Sequence, residues 1–133
     1  MPDAMEASRC GISLMPVIWP GSSTHNEHPY DPRYTLNQFI RDGGKFYWRQ
    51  AFNTISAPGV KTLFVAMFDE VDEGTAMFKM VSKAEQLPVG AELVHLNIDG
   101  YNLPSDWYLT LGGYTCKMLR GEISRNVSLN PPR

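Results

Sequence analysis

The sequence predicts an α/β fold in which two parallel strands are joined by a helix. Residues 12–19 and 62–68 are nearly continuous apolar runs, each as long as a strand buried on both faces. Between them, residues 42–56 place apolar side chains at helical spacing. Strand, helix and strand with tight connections form a βαβ unit, whose strands are parallel with a right-handed crossover. Two such strands do not complete a parallel sheet, so we expect the chain to be part of a larger one.

The elements before the central helix are a short helix and the first strand. Residues 3–10 predict the end of a helix, because Gly11 follows where a left-handed residue is favoured. The strand over residues 12–19 contains Pro16, which has no backbone N–H, so we expect this strand to be irregular or at an edge. A polar loop then runs as far as Leu36.

The central helix has a start and a stop signal. Asp42 is a favoured N-cap residue, and Pro58 ends the helix. Gly43 and Gly44 in the first turn weaken the helix start, but they allow another group to approach its free N–H groups closely.

The rest of the chain predicts one short strand and a last helix. Residues 92–98 alternate enough for a short strand or an extended segment, and Ser105 is the expected N-cap of a helix over residues 106–120. Its predicted buried side comprises Trp107, Leu111, Tyr114 and Met118. We expect residues 1–126 to form one structural unit and residues 127–133 to be a disordered tail.

Composition narrows the possible partners. The chain has 133 residues, a formal net charge of -2 and scattered Lys and Arg, which gives no electrostatic case for nucleic acid. No apolar run approaches ~18 residues, so we expect no membrane partner. The first residues lack the regions of a signal peptide, and the compartment of a larger parent protein, secreted or periplasmic included, stays open. No Gly-rich phosphate loop is present, and no cofactor is predicted.

Four carboxylates directly after the second strand are the strongest functional signal. Asp69, Glu70, Asp72 and Glu73 fall within five positions, and Gly74 follows. Like charges raise one another's proton affinity, so this cluster suits chemistry that needs a protonated and an ionised carboxyl group together. Glycoside hydrolysis is such chemistry. A solvated acidic turn and a calcium site are the alternatives.

Several residues are expected to lie at the same edge of the sheet as this cluster. His25 and His28 follow the first strand and are expected to contact the substrate or to be solvated loop residues. Their spacing alone does not make a zinc site, because a third ligand is missing from the pattern. Trp19 and Tyr30 could stack on sugar rings, although Trp19 could equally be core. Arg41 precedes the central helix and could contact a substrate hydroxyl or carboxylate, or be a surface cation. Asp69 and Asp72 complete the expected substrate contacts.

Four stretches of the chain resemble the C-terminal part of glycoside hydrolase family 71/99-like proteins, some of which are described as xylosidases or arabinosidases. They are residues 16–26 (PVIWPGSSTHN), 41–57 (RDGGKFYWRQAFNTISA), 65–79 (VAMFDEVDEGTAMFK) and 103–123 (LPSDWYLTLGGYTCKMLRGEI). The third stretch is the most specific, and together they cover most of the chain. The resemblance implies a (β/α)8 barrel, of which this chain would hold about the last two strand–helix units. A whole barrel needs roughly 250 residues.

The resemblance also implies roles for the two glutamates. In the family 99 endo-mannosidases, two glutamates three positions apart follow the last strand, and Glu70 and Glu73 stand at the matching positions. Glu70 would remove a proton from the sugar 2-hydroxyl, giving an epoxide-like intermediate, and Glu73 would be the general acid/base. The family has Trp and His between the pair, whereas Val71 and Asp72 stand here.

The resemblance therefore implies a glycoside hydrolase acting on an oligosaccharide or polysaccharide. Because the first six strands of the barrel have no counterpart here, we expect this chain alone to be inactive or weakly active. Its exposed strand edges are expected to bind the missing barrel part or a second copy. The alternative is a carbohydrate-binding or structural remnant without chemistry.

Overall fold

A computed structural model describes residues 2–75 and 77–131 as a small mixed α/β structure. In chain order the regular elements are α1 (Pro2–Arg9), β1 (Val17–Ile18), α2 (Lys45–Ile55), β2 (Phe64–Val65) and α3 (Trp107–Leu119). Two short 3-10 turns, Asp42–Gly44 and Ala84–Gln86, complete the set. Across the described residues, no helix is both long and apolar enough to cross a membrane.

The first helix ends as its sequence predicts. Arg9 is the last residue of α1, and Gly11 adopts a left-handed conformation with φ of 67° two residues later. The backbone N–H of Ile12 donates to the carbonyl of Ala7, at 2.8 Å, and so closes the helix end.

The two strands are parallel, which confirms the predicted βαβ unit. Val17 pairs with Phe64 and Ile18 with Val65. Both strands are much shorter than the apolar runs, and burial on both faces is wrong: Ile18 is 1% exposed but Val17 is 60% exposed. Within the described ranges the sheet has two strands only, so side chains that a wider sheet would cover face outward.

The start of the central helix differs from the prediction. Asp42 is not the N-cap of α2; it begins the 3-10 turn, and Gly44 is the N-cap with φ of 91°. The carboxylate of Asp42 instead accepts a hydrogen bond from the Tyr101 hydroxyl. A Cβ atom on Gly44 would lie 2.8 Å from Leu111 Cδ1, so the glycine is required where α3 packs closely on this turn.

The core lies between α2 and α3, and the buried side of α3 is not the predicted one. Asp106, not Ser105, is the N-cap residue. Tyr114 is exposed and Trp107 is half-buried, whereas Leu111 and Met118 are buried as expected. The stripe that faces α2 has a 3-4-3 spacing and consists of Tyr108, Leu111, Thr115 and Met118. A polar residue belongs to this stripe because the Thr115 hydroxyl is hydrogen bonded on both sides, as described below.

The segments around the core are irregular. Residues 92–98 do not form the predicted strand; instead the N–H groups of Leu96 and Asn97 bond to the carbonyls of Val81 and Ser82, at 3.1 and 2.9 Å. After α3, the Trp48 indole donates to the Asn126 carbonyl at 2.9 Å, and part of the tail packs on the core. Of the predicted tail, residues 132–133 lie outside the described residues, and the division at residue 126 stays a prediction.

Candidate functional site

The loops that follow the two strands meet at one edge of the sheet. The Ser23 N–H, in the loop after β1, donates to the Glu73 carbonyl at 2.6 Å. In the same loop, Asn26 Nδ2 donates to Asp72 Oδ1 at 2.8 Å and to the Glu92 carbonyl at 2.9 Å. Because β1 and β2 are parallel, their carboxyl ends lie side by side, which is where α/β proteins place their ligand sites.

The two predicted catalytic glutamates have different surroundings. Glu70 is half-buried, and its Oε2 accepts a hydrogen bond from the Thr75 hydroxyl at 3.0 Å. Thr75 is itself buried, and its N–H donates to the Glu70 carbonyl at 3.0 Å, so side chain and backbone of Glu70 are both held. The Glu73 side chain is exposed, while its carbonyl is fixed by the loop after β1. One carboxylate is thus oriented and the other is open to solvent.

Arg41 lies beneath the acidic turn and not at its open side. Its side chain is 5% exposed, and Nη2 donates a hydrogen bond to the Gly74 carbonyl. Burial lowers the pKa of the guanidinium, and the nearby Tyr108 hydroxyl and Asp99 carboxylate oppose this effect. The same burial raises the pKa of Tyr108 to about 12, so its hydroxyl stays neutral. Because the guanidinium is buried, Arg41 is not the surface cation that was the alternative, and its contact with a substrate stays a prediction.

The two histidines have separate partners. His25 contacts the Tyr34 carbonyl through Nδ1 at 2.7 Å and Glu92 Oε2 through Nε2 at 2.8 Å. The Glu92 carboxylate, followed by the Tyr34 carbonyl, raises the pKa of His25. The exposed His28 ring lies 4.2 Å from the Tyr34 ring, centroid to centroid. Within the described ranges, no three or more His, Cys, Asp or Glu residues form a group that could hold a metal ion. The calcium alternative therefore gains no support from the geometry.

The two candidate aromatic residues differ in exposure. Tyr30 is 98% exposed at the tip of the loop after β1. Trp19 is half-buried, and its ring makes edge contacts with Phe39 and Phe46 at centroid distances of 4.8 and 5.5 Å. The Trp19 carbonyl also accepts a hydrogen bond from Gln50 at 2.9 Å. This packing favours the core role of Trp19 over sugar stacking. Asp69, the remaining acidic candidate, is exposed.

Sequence reasoning missed the polar residues that join these loops. Ser23, Asn26 and Glu92 each bridge two segments, as described above, and Thr75 holds the first glutamate. Two signals in the sequence point to Asn26: it follows His25 directly, and it ends the stretch over residues 16–26 that carries the family resemblance. The partners of Asn26 are 46 and 66 residues away along the chain, and no local pattern encodes such a separation.

Comparison with known proteins gives a likeness in fold. No family model matches the chain, and no curated protein matches it. Solved structures that match the chain include two of the GH99 endo-α-mannosidase from Bacteroides thetaiotaomicron. The first, in complex with BIS-TRIS-propane, superposes with a TM-score of 0.72 at 22% identity over 91% of this chain and 34% of that one. The second gives a TM-score of 0.71 at 22% identity over 90% and 32%.

The chain has the fold of part of a GH99 endo-α-mannosidase. It spans about a third of the length of those structures. The resemblance to family 71/99-like glycoside hydrolases is therefore confirmed at the level of the fold, over a partial chain. At 22% identity the likeness shows the fold alone, so the chemistry of Glu70 and Glu73 is a matter for proposal.

Proposed function

We propose that this chain supplies the acid/base carboxylates of a glycoside hydrolase. One observation carries the proposal: in a chain with the fold of part of a GH99 endo-α-mannosidase, Glu70 and Glu73 occupy a turn just past β2 that is bonded to the loop after β1. Paired carboxylates at such an edge are the equipment of glycoside hydrolysis, which needs a proton donor and a base on one sugar.

The surroundings of the two glutamates suit different roles. Glu70, held by the Thr75 hydroxyl at 3.0 Å, suits a base that must meet one hydroxyl group in a fixed direction. The exposed Glu73 suits a group that first donates a proton to the departing oxygen and then accepts one from water.

The proposed reaction has two steps. Glu70 removes the proton of the sugar 2-hydroxyl, and that oxygen bonds to the anomeric carbon while the bond to the leaving oxygen breaks. Glu73 gives its proton to the leaving oxygen. Water then opens the epoxide-like intermediate, losing a proton to Glu73 as the 2-oxygen regains its proton from Glu70.

The proposed substrate is an oligosaccharide or polysaccharide. The groups placed to meet it are Asp69, Asp72, His28 and Tyr30, all exposed on the two loops. His25, Arg41 and Trp19 are buried or half-buried against other parts of the chain, so we assign them to shaping these loops.

The exposed apolar surface supports a larger parallel sheet. Leu63, Val65, Phe68, Met77 and Leu109 line part of an apolar groove of about 350 Å³ between β2 and α3. An apolar groove beside the open edge of a parallel strand fits a further strand of the same sheet. We propose that the chain forms about the last two strand–helix units of a (β/α)8 barrel, whose other strands complete the substrate cleft.

The test is hydrolysis by the native protein, isolated from its source cells through a tag on this chain together with any polypeptide that remains bound. We expect Glu73→Gln to lower kcat on its oligosaccharide substrate by about 10²–10⁴-fold while sugar binding survives, because one general acid/base contributes that much. Glu85→Gln, in the exposed 3-10 turn, is the matched control and should keep the full rate. Sugar binding without hydrolysis, unaffected by Glu70→Gln, would instead establish a non-catalytic carbohydrate-binding role.

A further inference from the structure

Arg41 is a buried cation whose guanidinium donates to the Gly74 carbonyl and is also hydrogen bonded to the Tyr108 hydroxyl. Among residues 2–75 and 77–131, no ion pair with N···O within 4.0 Å involves it. Its charge is balanced at longer range by Asp99, which accepts hydrogen bonds from Asn37 Nδ2 and the Asp42 N–H, both at 2.8 Å. Burying a guanidinium is unfavourable unless its N–H donors are used, so we expect Arg41 to hold the groups that it contacts in place.

Two glycines close over the Arg41 side chain from opposite loops. A Cβ atom on Gly21, after β1, would lie 3.2 Å from Arg41 Cγ and Nε. A Cβ atom on Gly74, in the acidic turn, would lie 2.8 Å from Nη2 and 3.0 Å from Val94 Cγ2. Both glycines have positive φ, 130° and 64°, so the backbone at each point also disfavours other residues. The side chain therefore fills the space between the loop after β1 and the acidic turn.

The bond to Gly74 bears on both glutamates. Gly74 directly follows Glu73, whose carbonyl accepts from the Ser23 N–H. The carbonyls of the peptide groups before and after Gly74 are therefore both held. Gly74 also directly precedes Thr75, whose hydroxyl and N–H both bond to Glu70. One guanidinium group thus holds the backbone between Glu73 and Thr75, the residue that is hydrogen bonded to Glu70.

We propose that Arg41 is a positioning residue that sets the spacing of Glu70 and Glu73 from below, without touching the substrate. The proposal rests on the proposed function for its consequence in catalysis, but its structural content is independent. A fork of planar N–H donors suits this task better than an ammonium group, because it can hold a carbonyl in one direction while its stem packs between two backbones.

The first test is amide hydrogen exchange, followed by NMR, in the full chain. Arg41→Lys keeps the charge but loses the fork, and we expect the Gly74 and Thr75 amides to exchange about 10- to 100-fold faster, the loss of one hydrogen bond to a charged group. Amides in the middle of α3 should change by less than about twofold. The exposed Arg49→Lys is the control and should leave the turn unchanged. Unchanged turn amides, or an equal rise in α3, would overturn the proposal.

A second measurement needs no variant and serves if Arg41→Lys does not fold. In the wild-type chain, the side-chain N–H signals of Arg41 should exchange with water at least about tenfold more slowly than those of the exposed Arg49. Equal rates would show that the guanidinium is not held, and the proposal would fail.

Catalysis supplies a third readout. In the native protein, Arg41→Lys should lower kcat by about 10- to 100-fold with KM changed by less than about twofold, since misplacing a catalytic group acts on the transition state. If exchange of the Gly74 and Thr75 amides depends on Arg41 but the native protein hydrolyses no glycan, the proposed function is refuted and the positioning role of Arg41 is retained. Hydrolysis that needs Glu73 but is unchanged in Arg41→Lys would do the reverse.

Discussion

The seam between α2 and α3 contains a chain of two buried hydroxyl groups whose removal has a calculable effect. Tyr47 is 0% exposed, and its hydroxyl donates to Thr115 Oγ1 at 3.1 Å. Thr115 in turn donates to the Leu111 carbonyl at 2.8 Å. Burial raises the pKa of Tyr47 to about 12, so its phenol is neutral at ordinary pH. Three groups therefore share two hydrogen bonds out of reach of water.

The two single substitutions should differ in their effect on the free energy of unfolding. Tyr47→Phe removes a donor and leaves Thr115 bonded to the helix, so we expect a loss of about 1 kcal/mol. Thr115→Val leaves the Tyr47 hydroxyl buried with no acceptor, and we expect a loss of about 1–3 kcal/mol. The double variant removes both hydroxyls together and should lose less than the sum of the two, by about 1 kcal/mol or more.

Urea unfolding at pH 7, followed by tryptophan fluorescence, measures all four proteins in this cycle. The slope of unfolding free energy against urea should be the same in each, which shows that the same surface is exposed. Tyr114→Phe, on the exposed side of α3, is the control and should change stability by less than about 0.5 kcal/mol. Losses that add within about 0.3 kcal/mol would refute the coupling, and with it the packing of α2 on α3 described above.

Three further predictions concern the loops and the open sheet edge. The pKa of His25 is raised in the folded state, so its bond to Glu92 stabilises the fold fully below the unfolded pKa of about 6.5, and this stabilisation is lost as pH rises through the folded pKa. Thermal melts should therefore show a steeper fall in Tm across this pH range in wild type than in Glu92→Gln. Equal slopes would contradict this prediction. Gly74→Ala should lower the free energy of unfolding, measured in urea, by about 1–3 kcal/mol, and by more than Gly100→Ala does. Both glycines have positive φ, but only at Gly74 would a Cβ atom lie within 4 Å of other atoms. A larger loss for Gly100→Ala would contradict this reasoning. The isolated chain should self-associate through its apolar groove, and Phe68→Lys should shift it towards monomer in sedimentation velocity, whereas an unchanged profile would exclude that surface.

The order and direction of the main elements could be predicted from sequence because they depend on local patterns. Apolar runs separated by an amphipathic stretch were enough to predict two parallel strands around a helix. Their lengths were overestimated, since an apolar run is the same whether or not a neighbouring strand pairs with it, and only two residue pairs are paired here. Of the two conformations predicted for residues 92–98, a short strand or an extended segment, the strand is not formed, because alternation does not supply a partner.

The candidate site could be predicted only in part. The acidic turn was evident, because four carboxylates after a strand are unusual in any context, and the parallel strands place it beside the loop after β1. The burial of Arg41 could not be predicted, because it depends on a carbonyl 33 residues away and on two glycines that only the fold brings to it. The buried face of α3 was misassigned because Thr115 is polar in sequence but satisfied in place.

The dependence of rate on the leaving group tests the proposed acid/base role most directly. In the native protein carrying Glu73→Gln, hydrolysis of a glycoside with a methanol leaving group should fall by about 10²–10⁴-fold, because that oxygen must be protonated to depart. Hydrolysis of a dinitrophenyl glycoside of the same sugar should fall far less, since dinitrophenolate departs without a proton. Equal losses for both substrates would contradict the assignment of Glu73 as the general acid.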